Sequence, residues 1–203
     1  MGSDAGNVNL VITTTITIAL AFLGYLITYL NNLRLSQRRD RLDRLNKQLG
    51  EFYGPLFALD HASYVARQKF LQKYAAGRDR FFVEGIEHSE DELWVWRHWM
   101  TTVFMPINMR IYELILSKSD LLIEPHMPSC LITLCAHVTS YKVVLEKWEK
   151  GDFTEHTALV GFPRELHDYT KVSFDLLKSE QAKLLGKSNN NVTKSKSKNI
   201  TYN

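Results

Sequence analysis

The sequence lacks most of the motifs that mark an enzyme or a metalloprotein. Among 203 residues it has only two cysteines, Cys130 and Cys135. It has no phosphate-binding glycine-rich loop, no nucleophile elbow and no His-Glu-x-x-His helix. The two cysteines lie about a turn and a half of helix apart, so we expect two small buried side chains and no disulfide. These absences nominate no catalytic residue and imply no cofactor.

The histidines prompt a search for a metal site, but their spacing does not favour one. Cys130 and His137 are seven residues apart and share a helix face, but a structural zinc site usually pairs ligands two to four residues apart in two separate halves, and no second paired half is present. No Glu is followed three residues later by His, as a di-iron helix bundle requires. The pair His167-Asp168 resembles the His-Asp pair of all-α metal-dependent phosphohydrolases, without their ordered series of further ligands. The sequence therefore predicts no metal site, although one loose cluster contains four possible ligands: His126, Cys130, Cys135 and His137.

Charged side chains are missing from residues 5–33, while residues 34–47 contain six Lys or Arg. The apolar run 8–30 exceeds the roughly 20 residues that a helix needs to cross a bilayer. It is too long for the core of a signal peptide, no Lys or Arg precedes it, and arginines follow it in a stop-transfer pattern. We therefore predict a retained transmembrane helix at 8–30, whose partner is the lipid bilayer.

The basic residues on one side of this run predict its orientation. Under the positive-inside rule, residues 1–7 lie outside and the rest of the chain lies in the cytoplasm. The sequence thus divides into the short outer segment, the membrane helix, a basic juxtamembrane helix at 31–53, a helical domain at 55–186 and a disordered Lys/Ser/Asn-rich tail at 187–203. Five arginines are expected to contact lipid headgroups: Arg34, Arg38, Arg39, Arg41 and Arg44.

The formal net charge of +3 does not indicate a nucleic-acid partner. Residues 48–186 carry 15 basic and 19 acidic side chains, so the body of the protein is mildly acidic. The excess positive charge lies in the juxtamembrane segment and the tail, where it suits anionic headgroups. We therefore expect binding to a lipid surface and not to nucleic acid.

The remaining segments read as helices with breakers between them, because no apolar and polar alternation of the strand type persists. The Gly54-Pro55 pair should end or kink the juxtamembrane helix, and a second helix should run over 55–76. Ser89 and Glu92 form a capping box that should start a third helix, in which Pro106 predicts a kink. A fourth helix should span 131–148 and a fifth should open at 162–163. Together they predict an all-α fold, a four- to five-helix bundle.

Three tryptophans fall close together on the predicted third helix. Trp96 and Trp99 lie near its apolar seam, so we expect both in the core. Trp94 points away from Trp96 and is expected at the edge, where it is available to a partner or to headgroups. This helix therefore predicts two core tryptophans and one surface tryptophan.

Three stretches resemble a family of uncharacterised bacterial proteins with one N-terminal membrane helix and a helical cytoplasmic domain. They are WMTTVFMPIN at 99–108, CAHVTSYKVVLEKW at 135–148 and GDFTEH at 151–156, which leads to Phe162-Pro163. The resemblance covers residues 45–185 and implies a location in the bacterial inner (plasma) membrane, but it brings no activity. The polar and aromatic positions in these stretches are candidates for a site, the alternative being helix packing and loop capping: His137, Tyr141, Lys142, Trp148, Glu155 and His156.

Small residues recur on one face of the apolar run, at Thr14, Thr17, Ala21, Gly24 and Thr28. Such a stripe lets another helix approach closely, which predicts a membrane-anchored protein that acts by interaction or homo-oligomerisation. The same heptad phase continues through leucines outside the membrane to Phe52, although these can instead pack on the chain's own helices. Two alternatives remain open, a membrane effector or sensor in bacterial stress or phage defence and a metal-dependent enzyme.

Overall fold

The computed structural model describes the backbone of residues 3–186 and the side chains of residues 12–186. Helices and the turns between them account for this whole range, and no strand occurs in it. The all-α prediction is confirmed for these residues. The predicted tail at 187–203, the first two residues and the side chains of the proposed outer segment lie outside the described part of the chain.

Six α-helices follow one another along the described chain. Two of the joints between them are π-helical, so α1 continues into α2 and α3 continues into α4 without a loop. Four long helical stretches result, within the number predicted. The helices are α1 Ser3–Lys47, α2 Gly54–Tyr74, α3 Glu90–Trp99, α4 Met105–Lys118, α5 Ser129–Glu149 and α6 Leu166–Leu184, and the π-helical segments are Gln48–Tyr53 and Met100–Phe104.

Each π-helical segment ends two residues before a proline, with Gly54 or Met105 between them. Gly54 donates its backbone N–H to the carbonyl of Leu49, five residues back, and Met105 donates in the same way to Met100. A proline at the next position has no N–H and its ring crowds the carbonyl four residues back, so one wider turn relieves the clash. The helix therefore continues through Gly54, where the sequence predicted an end or a kink.

The ends of the other helices follow the predicted chemistry closely. The Ser89 hydroxyl accepts from the Glu92 N–H at 3.3 Å, and the Glu92 carboxylate accepts from the Ser89 N–H at 2.9 Å, so the capping box is confirmed. Gly151 and Gly186 adopt positive φ after α5 and α6, as helix C-terminal glycines do. The fifth predicted helix begins later than expected, at Leu166, after a turn that follows Pro163.

The described residues divide into two compact units, one up to Arg44 and one from Leu45 onward. The second unit has its own apolar core, in which α2 packs mainly against α4 and α6. Leu45, Leu49 and Phe52 belong to that core and are 3%, 8% and 0% exposed. Of the two interpretations of the heptad phase outside the apolar run, the second therefore holds from Leu45 onward: these side chains pack on the chain's own helices and are not free to form a seam with another chain.

The tryptophan prediction on α3 is confirmed. Trp96 and Trp99 are partly buried, and both contact the buried Phe70, with ring centroids 5.8 and 5.5 Å away. Trp94 is 59% exposed and stacks on His98. Helical phase alone was sufficient to separate the core tryptophans from the surface one.

Candidate functional site

Most of the polar and aromatic candidates meet at the loop between α5 and α6. The Tyr141 hydroxyl and the Trp96 indole N–H both donate to the carbonyl of His156, each at 2.9 Å. The Trp148 indole N–H donates to the carbonyl of Glu155 at 2.7 Å. Three side chains from two helices thus hold two successive carbonyls of the loop.

His137 completes this group, which we call the loop clamp (Trp96, His137, Tyr141 and Trp148). Its Nδ1 lies 2.7 Å from the carbonyl of Val160, and because a carbonyl only accepts, Nδ1 carries the proton. Burial lowers the pKa of His137 and raises the pKa of Tyr141 above its usual range. Both side chains therefore stay neutral donors near neutral pH, which suits them to fixing the loop backbone.

The other candidates in these stretches do not join the clamp through their side chains. The Glu155 carboxylate pairs with Lys147 at 2.8 Å, and Lys142 lies 5.1 Å from the ring centre of Tyr112 on α4. Leu159 in the clamped loop is 96% exposed. The clamp thus holds a loop on which one apolar side chain is exposed to water. It does not place a nucleophile next to a base.

The four possible metal ligands of the sequence analysis do not form a site. Among the described residues, no group of three or more His, Cys, Asp and Glu side chains is placed to hold a metal ion. Cys130 and Cys135 are free thiols, and burial raises the pKa of both. These thiols are small core-side residues with little thiolate character.

A buried carboxylate that the sequence did not single out connects α2 to α6. Asp60 on α2 is 2% exposed, and its Oδ2 lies 2.8 Å from both the Nδ1 of His167 and the hydroxyl of Thr170 on α6. His167 therefore pairs with Asp60, 107 positions away, and not with its neighbour Asp168, which is exposed. We call these three residues the Asp60 centre.

Aromatic rings surround the imidazole of the Asp60 centre. The ring of His167 lies parallel to that of Tyr64 at 4.0 Å and stacks on His61 at 5.6 Å. The stack continues through Phe57 to Phe174 on α6. This arrangement could not be predicted from the sequence. Asp60 and His167 are 107 residues apart, and an Asp in the middle of an amphipathic helix does not indicate which residue it will pair with.

A second polar group ties the first π-helical segment to the loop before α5. The hydroxyls of Tyr53 and Tyr169 donate to the same Glu124 oxygen, at 3.1 and 3.2 Å, and the Tyr53 oxygen accepts from the backbone N–H of Ile123. Burial is the main cause that raises the pKa of Tyr53 to about 12. Both phenols remain protonated donors, and the group has a structural role.

The first unit has a different character, because every side chain in residues 12–41 is exposed. The uncharged part of this range has the length and composition to cross a membrane. The hydroxyls of Thr17 and Thr28 donate to backbone carbonyls four residues back, at 2.8 and 2.9 Å, so they are satisfied within the helix. The exposed set includes both the small-residue stripe and the arginines expected at headgroups: Thr14, Thr17, Ala21, Gly24, Thr28, Arg34, Arg38, Arg39 and Arg41, with Arg44 exposed just beyond it.

Comparison with known proteins adds no further constraint. No family model, curated protein or solved structure matches this chain. The function must therefore be argued from the geometry of the described residues.

Proposed function

We propose that this protein is a single-pass membrane protein of the bacterial inner membrane that acts through interaction or self-association. The observation that carries the proposal is the uncharged side-chain surface of residues 12–33, every member of which is exposed. Soluble monomers rarely expose contiguous apolar patches larger than a few hundred Å². A bilayer removes this surface from water, and α1 satisfies its own backbone hydrogen bonds there.

The charge distribution supports an orientation with the N-terminus outside. The exposed arginines after residue 33 would remain on the cytoplasmic side, where each basic residue near anionic lipid contributes about 1 kcal/mol. The unit from Leu45 onward then lies in the cytoplasm.

Membrane attachment is tested by deleting residues 5–33. The full chain with a C-terminal tag should sediment with membranes and resist an alkaline carbonate wash, whereas the deletion should be found in the soluble fraction. Deletion of residues 187–203 removes four lysines but leaves α1 intact, so this control should stay in the membrane pellet. Recovery of the full chain as a soluble protein would contradict the proposal.

The same preparation distinguishes a retained anchor from a cleaved signal. The membrane-bound protein should have the intact mass of the full chain, about 23.5 kDa plus the tag. A product shorter by about 30 residues would show that the apolar run is removed as a signal sequence. Reporter fusions at the two ends should show activity of a cytoplasmic reporter only at the C-terminus.

Self-association through the small-residue stripe predicts a specific crosslink. In a Cys130→Ala/Cys135→Ala background, Gly24→Cys should form a disulfide-linked dimer in membranes treated with a mild oxidant. A Cβ at Gly24 has no neighbour within 4 Å on its own chain, so a partner helix has room to approach. Phe22→Cys, on the opposite face of α1, is the matched control and should crosslink far less. Equal crosslinking at both positions would indicate random collision and no helix interface.

A further inference from the structure

Unpartnered buried nitrogen atoms are concentrated on four basic side chains of the second unit. They are both ring nitrogens of His88, Nη1 of Arg78, Nη1 of Arg97 and Nδ1 of His156. In the described part of the chain, the one other buried side-chain atom without a hydrogen-bond partner is Oδ1 of Asn108. The side chain of His88 is only 5% exposed, so bulk water does not reach its nitrogens.

Aromatic contacts place His88 and His156 together. The ring of Phe82 contacts the rings of both His88 and His156, with centroids 5.1 and 6.0 Å apart. Trp96 packs on Phe82 and donates to the His156 carbonyl, and Arg97 is the next residue of α3. Burial is the main cause that lowers the pKa of His156, and the charge of Arg97 is the second cause.

Arg78 lies near the same carboxyl group as His88. The pKa of Glu92 is lowered mainly by the Ser89 N–H and further by the charge of Arg78, and Glu92 lies 3.6 Å from Nδ1 of His88. We call Arg78, His88, Arg97 and His156 the basic cluster.

The carboxylates near the basic cluster do not satisfy it. Glu90 lies 3.4 Å from Nη2 of Arg97, and Glu92 lies 3.6 Å from Nδ1 of His88. Two other ion pairs of the second unit are shorter, at 2.7 Å for Lys118 with Glu51 and 2.8 Å for Lys147 with Glu155. The Glu92 oxygen is moreover already used by the N–H of Ser89 in the capping box. Nε2 of His88 and both Nη1 atoms therefore keep no acceptor.

The hydrogen-bonding capacity of these atoms defines the class of ligand that they can bind. A guanidinium has N–H donors and no acceptor, so each free Nη1 needs an oxygen that accepts. The planar face of the Arg97 guanidinium lies over the ring of Phe153, 4.4 Å from the ring centre. The N–H donors lie in the plane of the guanidinium, at its edge. Buried donors without an acceptor are costly to the fold, which favours an acceptor supplied from outside the chain. We propose that the basic cluster binds a small free oxyanion of the size of phosphate.

The experiment uses the full chain in maltoside micelles, which carry no phosphate, with inorganic phosphate as the probe. All four tryptophans lie between residues 94 and 148, so their fluorescence during heating reports the unfolding of the second unit. Phosphate should raise the midpoint of unfolding with concentration, by about 2 °C or more, relative to sodium chloride of equal ionic strength. Equal midpoints in the two salts would show that water fills the cluster and would overturn the proposal.

Two variants test whether the ion binds at this cluster. His88→Phe keeps the stack on Phe81, whose ring lies 4.4 Å from that of His88, but removes both orphan nitrogens. It should be at least as stable as the original chain in chloride and should lose the shift caused by phosphate. Arg97→Gln should lose the shift as well, whereas Arg110→Gln, on the exposed surface of α4, should retain it. A phosphate shift that persists in His88→Phe and Arg97→Gln would place the anion elsewhere and refute the site.

Discussion

Replacing Gly54 by alanine should destabilise the second unit by about 3 kcal/mol, because the added methyl group enters a site that has no free space for it. A Cβ built at Gly54 would overlap the backbone carbonyl oxygen of Leu49. That oxygen belongs to the backbone and already accepts the N–H of Gly54 in the π-helical turn, so it has no freedom to move aside. Urea unfolding followed by tryptophan fluorescence should show a lower midpoint with an unchanged slope.

Gly50→Ala is the matched control, since it makes the same change four residues earlier, in the π-helical segment that leads into Gly54. A Cβ at Gly50 meets nothing within 4 Å and the residue is exposed. Alanine costs less conformational entropy in a helix than glycine, so this variant should be neutral or more stable by about 0.5–1 kcal/mol. If both variants unfold at the same urea concentration, the close approach at Gly54 does not exist.

Removing the imidazole of the Asp60 centre should have an effect of similar size. The Asp60 side chain is 3% exposed. In His167→Ala its carboxylate keeps the hydrogen bond from the Thr170 hydroxyl but loses the imidazole, the partner that can carry a positive charge. Breaking a buried pair from one side leaves an uncompensated carboxylate and typically costs 3–5 kcal/mol. We expect about 3 kcal/mol here, because the His167 side chain is itself 20% exposed and water can replace part of the contact.

His61→Ala provides the comparison for this variant. His61 is exposed and belongs to the same ring stack, but it makes no hydrogen bond to Asp60, so its removal should cost less than about 1 kcal/mol. A double variant that also replaces Asp60 by leucine should recover part of the stability lost in His167→Ala, because no buried charge remains. Equal losses for His61→Ala and His167→Ala would show that the hydrogen bond to Asp60 contributes no stability beyond the ring stacking.

Local chemistry predicted much of the fold. The capping box at Ser89 and Glu92, the glycines after α5 and α6 and the apolar phase of α3 each depend on residues within one or two turns of each other. Such short-range signals survive in the sequence because the groups that satisfy each other are neighbours along it. Gly54-Pro55 was predicted to end or kink its helix, and Pro106 to kink its helix. The chain stays helical at both prolines, because a wider turn with a hydrogen bond to the residue five positions back relieves the clash.

Long-range partners could not be predicted in the same way. Leu45, Leu49 and Phe52 continue the heptad phase of α1, and nothing local shows that they are covered by the chain's own helices. His137, Tyr141 and Trp148 were candidates for a site, but their partners are loop carbonyls, which every residue type carries. The basic cluster was missed because its members are spread from Arg78 to His156 and none of them forms a recognisable motif.

The sequence by itself determined the helical character of the described chain, several of its helix ends and the presence of one uncharged segment long enough to cross a bilayer. These properties follow from periodicity, capping and hydropathy, which act between near neighbours. Only the tertiary structure decided that His167 pairs with Asp60, that the clamp holds the loop before α6 and that four basic side chains keep unpartnered nitrogens. Those outcomes depend on which distant helices touch, and burial then makes each polar partner, or its absence, energetically important.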